Sequence, residues 1–246
     1  MTSAANTVTG LIVREGGPVA TIEIDRPDEG NTINGEMMAA LPAILARLGT
    51  NEAIRAIAIR SRGPAFCRGR DGRGDSRAPM SAFEFRYKRA ASILNVYEAI
   101  GAVPIPVVAC VQGPANGFGA ALAGGSDITL ASDAARFSFD EINHGIAPTL
   151  AMSAVMRKVP PKALAYLIYS GREFDAREAM FHGLASTVFP AASFAAEADR
   201  FLAELGARPR LLLETVKRFQ SKGADLSVDM AAEYAGTLMA VSRSGP

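Results

Sequence analysis

The sequence predicts an α/β core followed by an all-helical extension, and three observations carry that reading. Short β-branched runs alternate with stretches of helical period as far as about residue 190. Beyond that point only helical spacing recurs. The most apolar stretch, 100–111, is broken by Pro104 and Pro106 and is too short to span a bilayer, so it reads as a buried strand. Strand–helix alternation that gives way to helices argues for a core over 1–190 and a helical region over 191–246.

In order along the chain, 11–14 and 19–25 read as paired strands, joined at Glu15-Gly16-Gly17-Pro18, a turn signal. A polar loop, 26–31, follows. Asn34 is placed to cap a helix on which Met37, Met38, Leu41, Ile44, Leu45 and Leu48 recur at helical spacing. A strand at 54–60 feeds a loop rich in glycine and arginine. Helical character returns over 81–100, a strand follows at 105–111, and a short alanine-rich helix at 120–123. Strands at 128–131 and around 136–139 come next, then helices at 151–158, 161–170 and 176–183. The rest is mostly helical, through Leu202, 211–219 and 230–241.

Composition narrows the function classes. With 49% hydrophobic residues in 246, the chain can close a large core without disulfide or metal staples. Its 26 basic and 25 acidic residues leave +1, which steers it neither to nucleic acid nor to an anionic membrane. Two isolated cysteines, Cys67 and Cys110, and no signal-peptide pattern suit a reducing cytoplasm. There is no G-x-S-x-G elbow, no metal-ligand spacing and no Walker-type loop. Gly117-Phe118-Gly119 imitates the start of a dinucleotide fingerprint, but Leu122 stands where the third glycine belongs.

Two strand-to-loop junctions carry the chemistry. One is Ala65-Phe66-Cys67-Arg68-Gly69-Arg70-Asp71, and the other is Gln112-Gly113-Pro114-Ala115-Asn116-Gly117-Phe118-Gly119. Glycines there let the backbone approach a ligand and aim N–H groups outward. Two such amides converging on one oxygen would stabilise charge on a thioester carbonyl. Residues 60–77 add six arginines against Asp71 and Asp75, a local excess of four suited to a ligand bearing phosphates.

These junctions closely resemble those of the enoyl-CoA hydratase/isomerase (crotonase) family. The likeness runs from Ile22-Glu23-Ile24-Asp25-Arg26-Pro27, through both junctions, to Ala135-Arg136-Phe137, Gly145-Ile146-Ala147-Pro148 and Gly183-Leu184-Ala185. It implies a spiral of ββα units, with C-terminal helices that pack subunits into trimers or hexamers. It also implies an acyl-CoA thioester as substrate, with coenzyme A part of that substrate and no separate cofactor. The family's two oxyanion amides fall on Arg70 and Phe118. Of its two glutamates, one falls on Glu141 and the other on Ala121, which cannot transfer a proton.

A single carboxylate favours double-bond isomerisation, or another reaction through a thioester enolate, over ordinary hydration. A member that has lost catalysis and serves as a scaffold is the alternative. Substrate contacts are implied at Arg26, Arg68, Gly69, Asp71, Arg73, Gly117 and His144, with the 26–31 loop at the adenine end. Arg68 and Arg70 stand where relatives usually carry small or apolar residues, and His144 where they carry an aliphatic one. Asp140 and His144 flank Glu141 as candidates to replace the lost glutamate, but a hydrogen-bonded histidine without a catalytic part is the better fit for His144. Asp127 reads as a capping or turn residue.

Overall fold

A computed structural model describes residues 8–73 and 80–244. β1 (Leu11–Arg14) and β2 (Val19–Ile24) form an antiparallel hairpin in which Leu11 faces Ile24. After a 3₁₀ turn at Pro27–Glu29, Asn34 caps α1 (Gly35–Thr50), its side chain accepting the Met37 N–H at 2.9 Å. The six predicted apolar positions are all buried, so the helical period becomes the face that packs on the core. β3 (Ala56–Ser61) lies parallel to β2.

A continuous helical stretch follows, made of α2 (Ala82–Glu84), a π-helical turn over Phe85–Ala90 and α3 (Ala91–Ala102). β4 (Val107–Val111) pairs with β3 and is buried along its whole length. β5 (Ala115–Asn116), α4 (Phe118–Gly125), β6 (Ile128–Ser132) and β7 (Arg136–Ser138) come next, then a 3₁₀ turn at Asp140–His144. α5 (Thr149–Val155), α6 (Pro161–Ser170), β8 (Phe174–Asp175), α7 (Ala176–Phe181) and β9 (Thr187–Phe189) complete the sheets. Three helices end the chain: α8 (Phe194–Gly206), α9 (Arg210–Gly223) and α10 (Val228–Ser244).

The main sheet has the order β1-β2-β3-β4-β6-β9, parallel except for the β1 hairpin, and a small sheet carries β5-β7-β8. Both two-residue strands, β5 and β8, were absent from the sequence reading, because alternation cannot register over two positions. β9 lies just ahead of residue 190, where the sequence turns from mixed to helical elements.

One face of the main sheet joins α1, α3 and α4 in the principal core. The other face is closed by α8, whose Phe194, Ala198 and Leu202 meet Ala58, Val108, Cys110 and Leu130. α8 is therefore part of the core, and the packed unit runs past residue 190. α9 and α10 behave differently. Leu211, Leu212, Val216, Phe219, Val228, Met230, Met239 and Val241 are exposed. Among the described residues, no helix is long and apolar enough to cross a membrane.

Candidate active site

The two junctions predicted from sequence lie side by side. The Phe66 and Cys67 N–H groups donate to the Pro114 carbonyl at 3.0 and 3.1 Å, and the Asn116 N–H donates to the Cys67 carbonyl at 2.9 Å. The approach is close enough that a Cβ on Gly119 would collide with the Cys67 carbonyl. Glycine at 119 is thus fixed by how near the two loops come, not by local turn geometry.

On its other side the first junction pairs with the chain around Ile33. The Ile33 N–H donates to Gly69 at 2.9 Å, and Asp71 donates to Ile33 at 2.8 Å. In parallel pairing a residue bonds to the neighbours of the one it faces, so the peptide of Arg70 points away from Ile33. That is the side on which Cys67 meets Ala115 and the second junction. Phe118 opens α4, and the first N–H groups of a helix have no partner within it.

Arg70, Phe118 and Glu141 line one cleft of about 590 Å³. Glu141 stands in the 3₁₀ turn after β7, which is tied to the second junction where Gly117 donates to the Ser138 carbonyl at 2.9 Å. Gly117 has φ +50° and ψ −114°, and a Cβ there would sit 3.0 Å from Glu141 Oε1. Glycine therefore permits both the backbone bend and the approach of the carboxylate. The Oε2 atom of Glu141 is buried and has no hydrogen-bond partner among the described residues. Burial raises the Glu141 pKa, with the Asp140 charge adding to it, while the residue's own backbone and His144 pull the other way.

The remaining predicted residues divide between the cleft and its supports. Arg68, Gly69, Gly117 and His144 line the cleft with the three just described. Arg26, Asp71 and Arg73 are not among the residues that line it. Asp71 Oδ2 accepts from Arg26 at 3.0 Å and Oδ1 from Arg73 Nε at 2.9 Å, and Glu29 bonds both arginines. Their guanidiniums are engaged by carboxylates of the chain itself. Asp71 is held below the usual carboxylate range by the Arg73 N–H above all, and then by Arg26. This cluster fastens the 26–33 segment to the first junction. Of the arginine-rich loop, Asp75 and Arg77 lie outside the described residues.

His144 is exposed on the rim, with Nε2 3.9 Å from Asp140 Oδ2, beyond hydrogen-bond reach. Asp140 also lines the cleft. Ala121 is fully buried in the core. Asp127, expected to cap or turn, instead reaches across the fold. It accepts the Val107 N–H at 2.8 Å and pairs with Lys217 Nζ at 2.7 Å. Both thiols are buried and protonated, Cys67 pushed up to about 12 and Cys110 to about 11.

Three groups escaped the sequence reading. Asn31, buried at φ +58°, donates to the Arg62 and Ala65 carbonyls at 2.7 Å each, and so shapes the first junction from within. Gln112 Nε2 donates to the Gly63 and Ala65 carbonyls at 3.0 Å. Tyr97 lines the cleft and stacks on Phe118 with centroids 5.5 Å apart. Asparagine directly after Gly30, in a polar loop, was a usable signal of left-handed backbone for the first. A tyrosine at a helical core position gave none.

A chain with this sheet, these paired junctions and this carboxylate belongs to the enoyl-CoA hydratase/isomerase family, whose family model matches residues 14–240. Its fold is the crotonase one. A crystal structure of enoyl-CoA hydratase from Mycobacterium smegmatis superposes with a TM-score of 0.90 at 29% identity, covering 97% of this chain and 93% of that one. The human enoyl-CoA hydratase domain-containing protein 3 gives 0.87 at 24% identity, covering 94% of this chain and 91% of that one, a likeness of fold.

Among curated relatives, a Thermus thermophilus protein bearing an enoyl-CoA hydratase name is 30% identical over 79% of this chain and 77% of its own length. The mitochondrial enoyl-CoA hydratase domain-containing protein 3 of Rattus norvegicus is 27% identical over 90% of this chain and 72% of its own length.

Proposed function

We propose that the protein is an acyl-CoA enzyme that stabilises a thioester enolate. The thioester oxygen lies between the backbone N–H groups of Arg70 and Phe118, and Glu141 is the general acid/base. The observation that carries this reading is the Glu141 carboxylate. It is partly buried, has no partner at Oε2 among the described residues, and stands beside Gly117 in the same cleft as Arg70 and Phe118. Burial that raises a carboxylate pKa suits a group that must both take and return a proton near neutrality. Losing one such oxyanion donor typically costs about 3 kcal/mol of transition-state stabilisation.

The favoured reaction is an isomerase-type shuttle. Glu141 takes a proton from the α-carbon of a 3-enoyl thioester, the charge passes to the thioester oxygen, and the proton returns at the γ-carbon. Buried Ala121 offers no acid at the second glutamate position, which favours this shuttle over ordinary hydration. Coenzyme A enters as part of the substrate, and no further cofactor is assigned. The exposed apolar positions of α9 and α10 support assembly into a homotrimer or hexamer. Cytoplasmic placement rests on the sequence alone.

Incubating the protein with 3-enoyl- and 2-enoyl-CoA thioesters in deuterated water tests the reading. The expected result is α-carbon exchange with double-bond migration. Binding without exchange would instead point to the scaffold alternative.

A further inference from the structure

We infer that Tyr97 is a positioning residue of this site: its ring, stacked on Phe118, keeps the Phe118 N–H aimed at the thioester oxygen. The inference rests on the acyl-CoA reading above and deepens it by adding a residue that acts through the oxyanion amide.

The Phe118 amide follows a permissive residue. Gly117 has φ +50° and ψ −114°, and glycine imposes little preference of its own on how the next peptide turns. That peptide is pinned at its carbonyl edge, where Gly117 accepts the Ala121 N–H at 3.0 Å. A plane bonded along one edge can still rock about it, and a hydrogen bond weakens steeply as its donor tilts away. The Phe118 side chain supplies a second hold, because it leaves the same residue whose N–H meets the oxygen. Its ring is 5% exposed and lies 5.5 Å from the Tyr97 ring at an angle of 22°, a stacked pair.

Tyr97 is also a partition between two cavities. It lines the candidate active-site cleft and a second cavity of about 490 Å³, whose walls include Gly101 of α3, Gly125 of α4 and Ala154 of α5. Each of those helices also lines the cleft, α3 through Ile93, α4 through Phe118 and α5 through Ala151. The second cavity therefore lies beyond the cleft, toward the C-terminal ends of all three helices, with Tyr97 between the two. Close packing ordinarily holds a buried ring from every side. Without the Tyr97 ring the two cavities would join, and Phe118 would gain room to shift and carry its N–H with it. Burial, and then the Glu141 charge, raise the Tyr97 pKa, so its hydroxyl stays neutral and the flat ring is the part that Phe118 meets.

Butyryl-CoA, with no double bond to move, reads both carbonyl polarisation and enolate formation. Isotope-edited infrared spectroscopy of the bound thioester carbonyl should show its stretch at lower frequency on wild type than in water. In Tyr97→Leu that shift should shrink. Exchange at the α-carbon in deuterated water, at saturating ligand, should slow roughly two- to tenfold with the half-saturating concentration unchanged. Tyr97→Phe, which keeps the ring, should match wild type in both readouts. Phe118→Leu should reproduce the Tyr97→Leu loss, and the double variant should lose no more than either alone. Tyr97→Met, which fills the space without a flat ring, repeats the test should the leucine variant fail to fold. Glu141→Gln should keep the shift and lose exchange, so that variant bears on the acid/base assignment alone. A wild-type carbonyl left unshifted on binding would sink the oxyanion reading and this inference together. A wild-type shift undiminished in Tyr97→Leu, a loss in Tyr97→Phe as large as in Tyr97→Leu, or losses that add in the double variant would overturn the inference alone.

Discussion

The two ends of α4 present opposite solutions to the same problem. At its C-terminal end the chain satisfies its own polar groups. Lys158 Nζ donates to the Gly125 carbonyl at 2.8 Å and also to Ser126, and Asp127 is held by the Val107 N–H and the Lys217 ammonium. Lys217 donates in addition to the Ile100 and Ile105 carbonyls at 2.8 and 3.0 Å. Burial lowers the pKa of both lysines, opposed by Asp127. At the N-terminal end the helix opens onto a cleft, and the neighbouring carboxylate has an oxygen that nothing among the described residues meets. An acid bonded within the chain, as Asp127 is through Oδ2, holds structure. A buried acid left short of a partner in a cleft is available to a substrate.

The largest expected effect lies at the open end. Glu141→Gln should lower turnover roughly 10²–10⁴-fold while acyl-CoA affinity is kept, read by kcat and a direct binding titration. Full turnover in that variant would erase the contrast between the two acids. At the closed end, Asp127→Asn should act on stability instead. It strands the Lys217 ammonium, only 5% exposed, and should cost roughly 3–5 kcal/mol in urea unfolding. Turnover per folded molecule should stay within about twofold of wild type.

Gly117→Ala joins the two kinds of effect. A side chain at φ +50° is strained and presses on Glu141 Oε1 at 3.0 Å. It should cost about 1–3 kcal/mol of stability and lower kcat more than it raises KM.

The smallest effect is the pH dependence that Glu141 imparts. Its folded pKa is raised, so its contribution is most favourable below the ordinary glutamate range and is lost as pH climbs through the raised folded value. Thermal midpoints of wild type and Glu141→Gln should therefore diverge as pH rises across that interval, with the glutamine variant the more stable above it. A constant difference from acid to neutral pH would mean that burial does not burden the carboxylate.

The parts of the site made of backbone were legible in the sequence, because glycine marks where the chain bends or nearly touches itself. Gly69, Gly117 and Gly119 mark both junctions in the sequence, whereas Glu141 is what the resemblance to the family implies. Side-chain partnerships were not legible, since they join residues far apart in the chain. Arg26 and Asp71 are 45 positions apart, and nothing local indicates that they bind each other and not a ligand. The same holds for the pairing of Asp127 with Lys217. Elements of ordinary length were found within a few residues, whereas β5 and β8 were too short to leave a pattern. The place of α8 in the core depended on which sheet face was still uncovered, and only the assembled fold supplies that.

A crystal structure with a bound acyl-CoA, or an unreactive thioester analogue, tests the central claim most directly. The thioester oxygen should lie roughly 2.7–3.1 Å from both the Arg70 and Phe118 nitrogens, with the Glu141 carboxylate over the adjacent carbon. An acyl group seated with that oxygen against neither nitrogen, or with Glu141 turned from the reacting carbons, would contradict it.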